Sequence, residues 1–183
     1  MSHIFDELDN AYKQKEAYLL DHWNRSLPFQ DAMFDRWERA QRLGFGEDVS
    51  IYNSALVFGN VAVGANSWIG PYVILDGSGG RLSIGCYCSI SAGVHMYTHD
   101  SVAWAVTGGK SVYQKGDVTI GNCCYIAPQS IIKMGIKIGD HSIIGANSFV
   151  NTNVPAYSIV AGSPAKVIGK VEIINDKVNL KYY

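Results

Sequence analysis

A six-residue period constrains this chain more than any other feature. Steps of six from Ile51 give Val57, Val63, Ile69 and Leu75; from Ile84 they give Ile90 and Met96; from Ile120 they give Ile126, Ile132, Ile138, Ile144 and Val150. All fourteen positions are Ile, Leu, Val or Met. A second lattice of small or β-branched residues follows four positions behind: Ala55, Val61, Ser67, Val73, Cys88, Val94, Cys124, Ser130, Ile136, Ser142, Ser148 and Val154. Glycine often follows the aliphatic residue, as in Val63-Gly64, Ile84-Gly85 and Ile138-Gly139, which suits a short strand and a sharp turn. Strands this short cannot bury a face alone. Wound into a parallel β-helix, each gains a neighbour above and below at roughly 4.8 Å, and the aliphatic positions form one continuous column.

Composition agrees with one closed domain and an appendage. The chain has 183 residues, 48% hydrophobic and 17% charged, which excludes an intrinsically disordered chain. No window approaches 18 unbroken apolar residues, so no spanning helix is expected. Fifteen basic residues against sixteen acidic ones leave a formal charge of -1, without the field that gathers phosphate backbones or anionic lipid. Neither nucleic acid nor a membrane is an expected partner. The cysteines form two tight pairs, Cys86 with Cys88 and Cys123 with Cys124. Neither has the Cys-x2-4-Cys spacing of structural zinc, and two of the four fall on the compact lattice, so they read as core residues and no metal is expected. With no apolar signal segment in MSHIFDELDNAYKQKEAY, a cytoplasmic location is the expectation.

The run from Ile120 to Lys170, IGNCCYIAPQSIIKMGIKIGDHSIIGANSFVNTNVPAYSIVAGSPAKVIGK, closes with Pro-x-x-Ser-x-x-x-Gly-x-Pro-Ala-Lys from Pro155 to Lys166. It resembles the C-terminal half of hexapeptide-repeat acyltransferases, and the likeness spans about residues 49 to 170. The resemblance implies a mainly β fold: a left-handed parallel β-helix of hexapeptide repeats, three strands per turn, with a short N-terminal helical cap. The left-handed sense comes from the resemblance alone, since the general crossover preference is right-handed.

Three pieces lie outside the repeat. Residues 1–48 are expected to form the cap. Ile4, Leu8, Ala11, Tyr12, Tyr18, Leu19 and Trp23 stand at near-helical spacing over 3–24, and Pro28 opens a second helix that carries Phe34 and Trp37 and stops at Gly44. Its expected work is to cover the open end of the solenoid. The β-helix spans 49–170 with a protruding loop at about 99–117, and a tail follows at 171–183.

Loops that interrupt a rigid repeat are where sites are usually built, and the gap from Met96 to Ile120 is the largest interruption. It opens with Gly-Val-His-Met-Tyr-Thr-His-Asp, residues 93–100. In the sugar- and antibiotic-modifying branches of the resembled family a histidine at this point is the general base. His99 matches it, and His95 is the nearby competitor. A neutral imidazole suits the removal of a proton from an amine or hydroxyl that attacks a thioester. Asp100 departs from the His-Pro of some sugar acetyltransferases; it orients the imidazole, binds a substrate ammonium, or simply opens the loop. Trp104 either stacks on a sugar or nucleobase or packs the loop. Trp104 to Ser111 lacks the first glycine and the strand-loop-helix context of a phosphate-binding loop, which removes a nucleoside triphosphatase.

The resemblance also implies acetyl-coenzyme A as acyl donor, held in a groove between neighbouring β-helices of a homotrimer. Ala146 matches a position whose backbone amide meets the pantetheine arm, and Pro128 and Asn151 lie on neighbouring turns. Lys166 matches a basic residue that meets the coenzyme phosphates, with Lys170 as a second candidate. The segment Gly-Val-x-x-Tyr-Thr-His-Asp and the short loop resemble those of sugar-nucleotide and polysaccharide acetyltransferases, and this resemblance implies the sugar and sugar-nucleotide acetyltransferase branch, acting on the amino group of a nucleotide-linked amino sugar used in bacterial surface polysaccharides. Sugar O-acetylation is the close alternative. A zinc-dependent γ-type carbonate dehydratase using His95, His99 and His141, and a non-catalytic assembly subunit, are the others.

Overall fold

The computed structural model describes residues 2–183. Each hexad is a short strand and a corner, and three hexads complete one coil. On the first face Ile51 pairs with Ile69, Ile69 with Ile90, Ile90 with Ile126 and Ile126 with Ile144, all parallel. The second face stacks Val57, Leu75, Met96, Ile132 and Val150 in the same way. The third stacks Val63, Ile84, Ile120, Ile138 and Val154. Apart from Val154, which comes from the compact lattice, these are the residues of the six-residue lattice, so the sequence period becomes three inward columns. Thirteen of the fourteen are buried, and Val57, on the first coil, is partly so. No helix among the described residues is long and apolar enough to cross a membrane.

The compact lattice is buried too, except that Val61 on the first coil is partly so, and its polar members tie successive coils together. Ser67 donates to the Gly85 carbonyl at 2.9 Å, Ser130 to Gly145 at 2.9 Å and Ser142 to Pro155 at 3.0 Å. Cys88 and Cys124 occupy equivalent places and give their thiol hydrogens to Gly121 and Gly139, at 3.1 and 3.2 Å. A buried carbonyl is thereby satisfied at each step. The glycines after the aliphatic residues do not supply turns, as the sequence suggested; they allow coils to approach. A Cβ on Gly85 would stand 2.7 Å from the Gly121 carbonyl carbon, and one on Gly64 at 2.7 Å from that of Gly85. The left-handed corner residues come one position before the compact lattice and are mostly not glycine: Asn66, Tyr72, Tyr87, Cys123, Gln129, His141 and Asn147.

The ends differ from expectation. The cap holds three helices: α1 (Ser2–Trp23), α2 (Phe29–Met33) and α3 (Arg36–Arg42). The second expected helix is split at Phe34, because Asp35 starts a new one by accepting from the amides of Trp37 and Glu38 at 2.9 and 2.8 Å. Pro28 stands just before α2 rather than in its first turn. Both short helices hold the first coil: Asp31 of α2 accepts from the Ser54 amide at 2.9 Å, and α3 packs on the coil directly. Its Arg39 donates to the carbonyls of Tyr52 and Ala55, and Ala40 and Phe45 join the core. The apolar stripe of α1 is not consumed by the solenoid, since Ile4, Leu8 and Trp23 remain exposed. At the other end the parallel ladder stops at strand Ser158–Gly162. Ala165–Ile174 and Lys177–Tyr182 then add antiparallel, so 165–182 is one hairpin that includes the expected tail.

The lattice is interrupted twice at one corner, between the second and third faces. The strand Ile74–Ile84 carries extra residues between Leu75 and Ile84, and on the next coil the long loop separates Met96 from Ile120. That loop is anchored by an antiparallel pair, His99–Asp100 with Gln114–Lys115, and carries a short helix α4 (Val102–Val106).

Candidate active site

The two interruptions stack and form a polar cluster. Asp76 follows inward Leu75 on one coil, and Tyr97 follows inward Met96 on the next; Asp76 and Tyr97 are register partners. Asp76 Oδ2 lies 3.9 Å from Nδ1 of His99, too long for a hydrogen bond and close enough for charge attraction. This Nδ1 is buried with no hydrogen-bond partner among the described residues, while a third of the His99 side chain is exposed. The imidazole therefore hides one nitrogen beside a carboxylate and offers the rest of its ring outward. The Asp76 side chain beside it is only 13% exposed.

Thr98, fully buried, holds this arrangement. Its hydroxyl donates to the Asp76 carbonyl at 2.8 Å and accepts from the amides of Gly79 and Gly80 at 3.0 and 3.1 Å. Gly79 is required by close approach: an added Cβ would collide with His99 Cβ and stand 2.6 Å from the Thr98 carbonyl oxygen. Asp76 Oδ1 is occupied by the Ser78 amide and hydroxyl, which fixes the carboxylate. Tyr97 shares the cluster, its hydroxyl 3.3 Å from Nδ1 of His95. Burial, and then the Asp76 charge, push the Tyr97 phenol above its ordinary value.

The sequence candidates divide between corners. His99 and Asp100 open the loop, and His95, outward on the second face, is bonded to Tyr97. Asp100 caps the loop helix, accepting from the Val102 amide at 3.2 Å. Trp104 stands on that helix edge-on to Tyr113, with ring centroids 5.6 Å apart. Pro128 and Ala146 share the corner between the first and second faces on successive coils, joined by the Asn147 amide donating to the Pro128 carbonyl at 3.0 Å. Lys166 lies opposite Ala161, which sits on the coil next to Gly145, and so belongs with them. Asn151 instead follows the second face, at the corner used by His99 two coils away. Lys170 is already engaged, 2.9 Å from Glu172, which also binds Lys181 at 2.8 Å. His141 lies on a different corner, stacked on Tyr157 at 4.7 Å. No role was read from the sequence for Asp76, which follows the lattice skip after Leu75, or for Tyr97 and Thr98, which follow Met96 in the long gap.

Comparison with known proteins matches residues 117–152 to the bacterial transferase hexapeptide (six repeats). The carnitine operon protein CaiE of Salmonella agona is 32% identical over 153 residues, 74% of this chain and 73% of that protein. The chain belongs to the bacterial transferase hexapeptide family. A chloramphenicol acetyltransferase of Morganella morganii is 35% identical over 108 residues, 49% of this chain and 51% of the relative, so the chain spans about half the length of that relative. Among solved structures, AntD, an N-acyltransferase of Bacillus cereus in complex with dTDP and 3-hydroxybutyryl-CoA, superposes with a TM-score of 0.59 at 21% identity. The match covers 74% of this chain and 89% of that one, and shows the shared hexapeptide fold.

Proposed function

We propose that this chain transfers an acetyl group from acetyl-coenzyme A directly to the amino group of a nucleotide-linked amino sugar, of the kind used in bacterial surface polysaccharides, with His99 as general base. The observation that carries this reading is the His99 imidazole itself: it opens the protruding loop, partly exposed, with its buried Nδ1 turned to Asp76. Membership in a family of transferases gives that imidazole a reaction to serve. The acceptor nitrogen attacks the thioester carbonyl as His99 takes its proton; the C–N bond forms, the C–S bond breaks, and the proton passes to the departing thiolate. Asp76 stabilises the imidazolium in between. Direct transfer needs no thiol nucleophile, and Cys88 and Cys124 are buried with their hydrogens given to backbone carbonyls.

The coenzyme lies along the corner of Pro128, Ala146 and Lys166, one face away from His99. Separation of these groups within one chain supports a site completed by a neighbouring chain, as in a homotrimer. Asn151, on the His99 corner, meets the coenzyme from the chain that supplies the base. O-acetylation of a sugar is the second reading, favoured by one observation: a base held against a carboxylate helps a hydroxyl, which cannot attack unassisted, more than a free amine. A panel of amino-sugar nucleotides and plain sugars with acetyl-coenzyme A, read by free thiol release, separates the two. A monomer at micromolar concentration whose melting temperature ignores coenzyme A would sink the shared-groove arrangement.

A further inference from the structure

We propose that the protruding loop carries a subsite for a nucleoside diphosphate, in which Trp104 and Tyr113 hold the base and Lys110 and Lys115 hold the two phosphates. The proposal rests on the reading of the acceptor as a nucleotide-linked sugar, and it assigns the nucleotide half of that acceptor to named residues. The loop carries a shallow, open depression of about 460 Å³ lined by these four side chains with Gly109, Ser111 and Val112. That volume is of the size small-molecule sites use.

The loop is built rather than slack. The Trp104 indole meets Tyr113 edge-on, and Gly109, at φ +84, lies close enough that an added Cβ would stand 3.5 Å from the indole nitrogen. Thr107 bonds back to Ala103 at 2.7 Å and accepts from the Ser111 amide at 3.0 Å, which ties the far side of the cavity to the loop helix. Both aromatic residues nevertheless remain nearly half exposed, at 45% and 47%, an apolar surface available to a flat ring.

Charge selects the ligand. Lys110 and Lys115 enter no ion pair among the described residues, and no carboxylate lines the cavity. The nearby carboxylates are turned to backbone amides instead, Asp100 to Val102 and Asp117 to Arg81 at 2.8 Å. A neutral sugar would want side-chain carboxylates or amides to bind its hydroxyls, and the lining has neither. Two ammonium groups beside an aromatic pair suit a base joined to a diphosphate. Position agrees as well. Lys115 is the direct cross-strand partner of His99, so a phosphate on Lys115 leaves the sugar attached to it at the imidazole.

Coenzyme A also carries an adenosine with phosphates, so the experiment has to tell two sources of one chemistry apart. Without acetyl-coenzyme A present, the full chain is titrated with uridine, thymidine and guanosine 5′-diphosphates, with the parent nucleosides, and with coenzyme A, by calorimetry and tryptophan fluorescence. The expected result is at least one diphosphate that binds about tenfold or more tighter than its nucleoside, weakens with salt, and is not displaced by coenzyme A. Lys110→Ala with Lys115→Ala should weaken it by about tenfold or more, and Trp104→Phe should remove the fluorescence change while leaving measurable heat. The proposal is overturned if none of the diphosphates binds, if nucleoside and diphosphate bind equally, if the lysine variant binds like wild type, or if coenzyme A competes. Failure of acetyl transfer with intact diphosphate binding would refute the transferase reading and leave the subsite standing.

Discussion

Thr98 is the residue on which the candidate site mechanically depends, and Thr98→Val isolates its hydroxyl. Valine keeps the shape and removes one donor and one acceptor. Wild-type Thr98 donates to the Asp76 carbonyl and receives the Gly79 and Gly80 amides, all within 3.1 Å, at a fully buried position. The Asp76 carbonyl keeps a second partner in the Thr98 amide at 3.0 Å, so the chief loss falls on the two glycine amides. An unpaired buried group costs about 1–3 kcal/mol, and both glycines are half-buried, so water relieves part of it. We expect destabilisation of about 2–4 kcal/mol, read as a lower urea midpoint at unchanged slope. Thr98→Ser keeps the hydroxyl and loses one methyl, about 1 kcal/mol. If valine stays within about 0.5 kcal/mol of wild type, or serine is as damaging as valine, the hydroxyl does not hold the corner and the reasoning is refuted.

Four further outcomes are expected. His99→Ala should lower kcat by about 10²–10⁴ at nearly unchanged coenzyme A affinity, and His95→Ala by much less, in steady-state kinetics on the true acceptor; the reverse ranking moves the base to His95. Gly79→Ala should displace His99 and cost about 1–3 kcal/mol, with kcat falling more than coenzyme binding; wild-type kinetics would show that the close approach is irrelevant. Cys88→Ser and Cys124→Ser should keep turnover and most stability, because serine already makes the same inter-coil bond at Ser67, Ser130 and Ser142, and in wild type both thiols should resist alkylation until unfolding. Glu172 sits below the ordinary carboxylate value through its bonds to Lys181 and Lys170, and Lys170 above the ordinary lysine value of 10.5 through Glu172. Amide protection in the hairpin 165–182, taken relative to intrinsic exchange at each pH, should therefore fall as pH drops through the lowered carboxylate value, and again as it rises through the raised lysine value; salt should weaken both effects because the groups are exposed.

The inward columns were legible because period six leaves one large and one compact residue per strand facing the core, and burial follows that pattern from Ile51 to Val154. The ends were not, because their elements answer to single residues. Asp35 alone decides where α3 begins, and the antiparallel turn of 165–182 is set by how the last coil is covered, which no period records. The stripe of α1 shows the converse failure. Helical spacing identifies an apolar face, and nothing in the spacing says whether this chain supplies the surface that covers it.

The candidate site shows the same division. His99 was legible because it opens the longest gap in the lattice. Asp76 was passed over, although the lattice contains the information that places it. The run from Ile51 ends at Leu75 and resumes at Ile84, nine residues on rather than six; the run from Ile84 ends at Met96. Leu75 and Met96 are stacked partners on one face, so both skips leave the solenoid at the same corner on adjacent coils. Chain expelled at one corner on two successive levels has to meet outside it. What it brings there, Asp76 with Ser78 and Gly79 below and Thr98 with His99 above, is a carboxylate fixed by its own turn and an imidazole seated where only glycine leaves room. Neither interruption alone would hold the ring: the long loop supplies the imidazole, and the short one supplies the carboxylate and the bare backbone on which it rests.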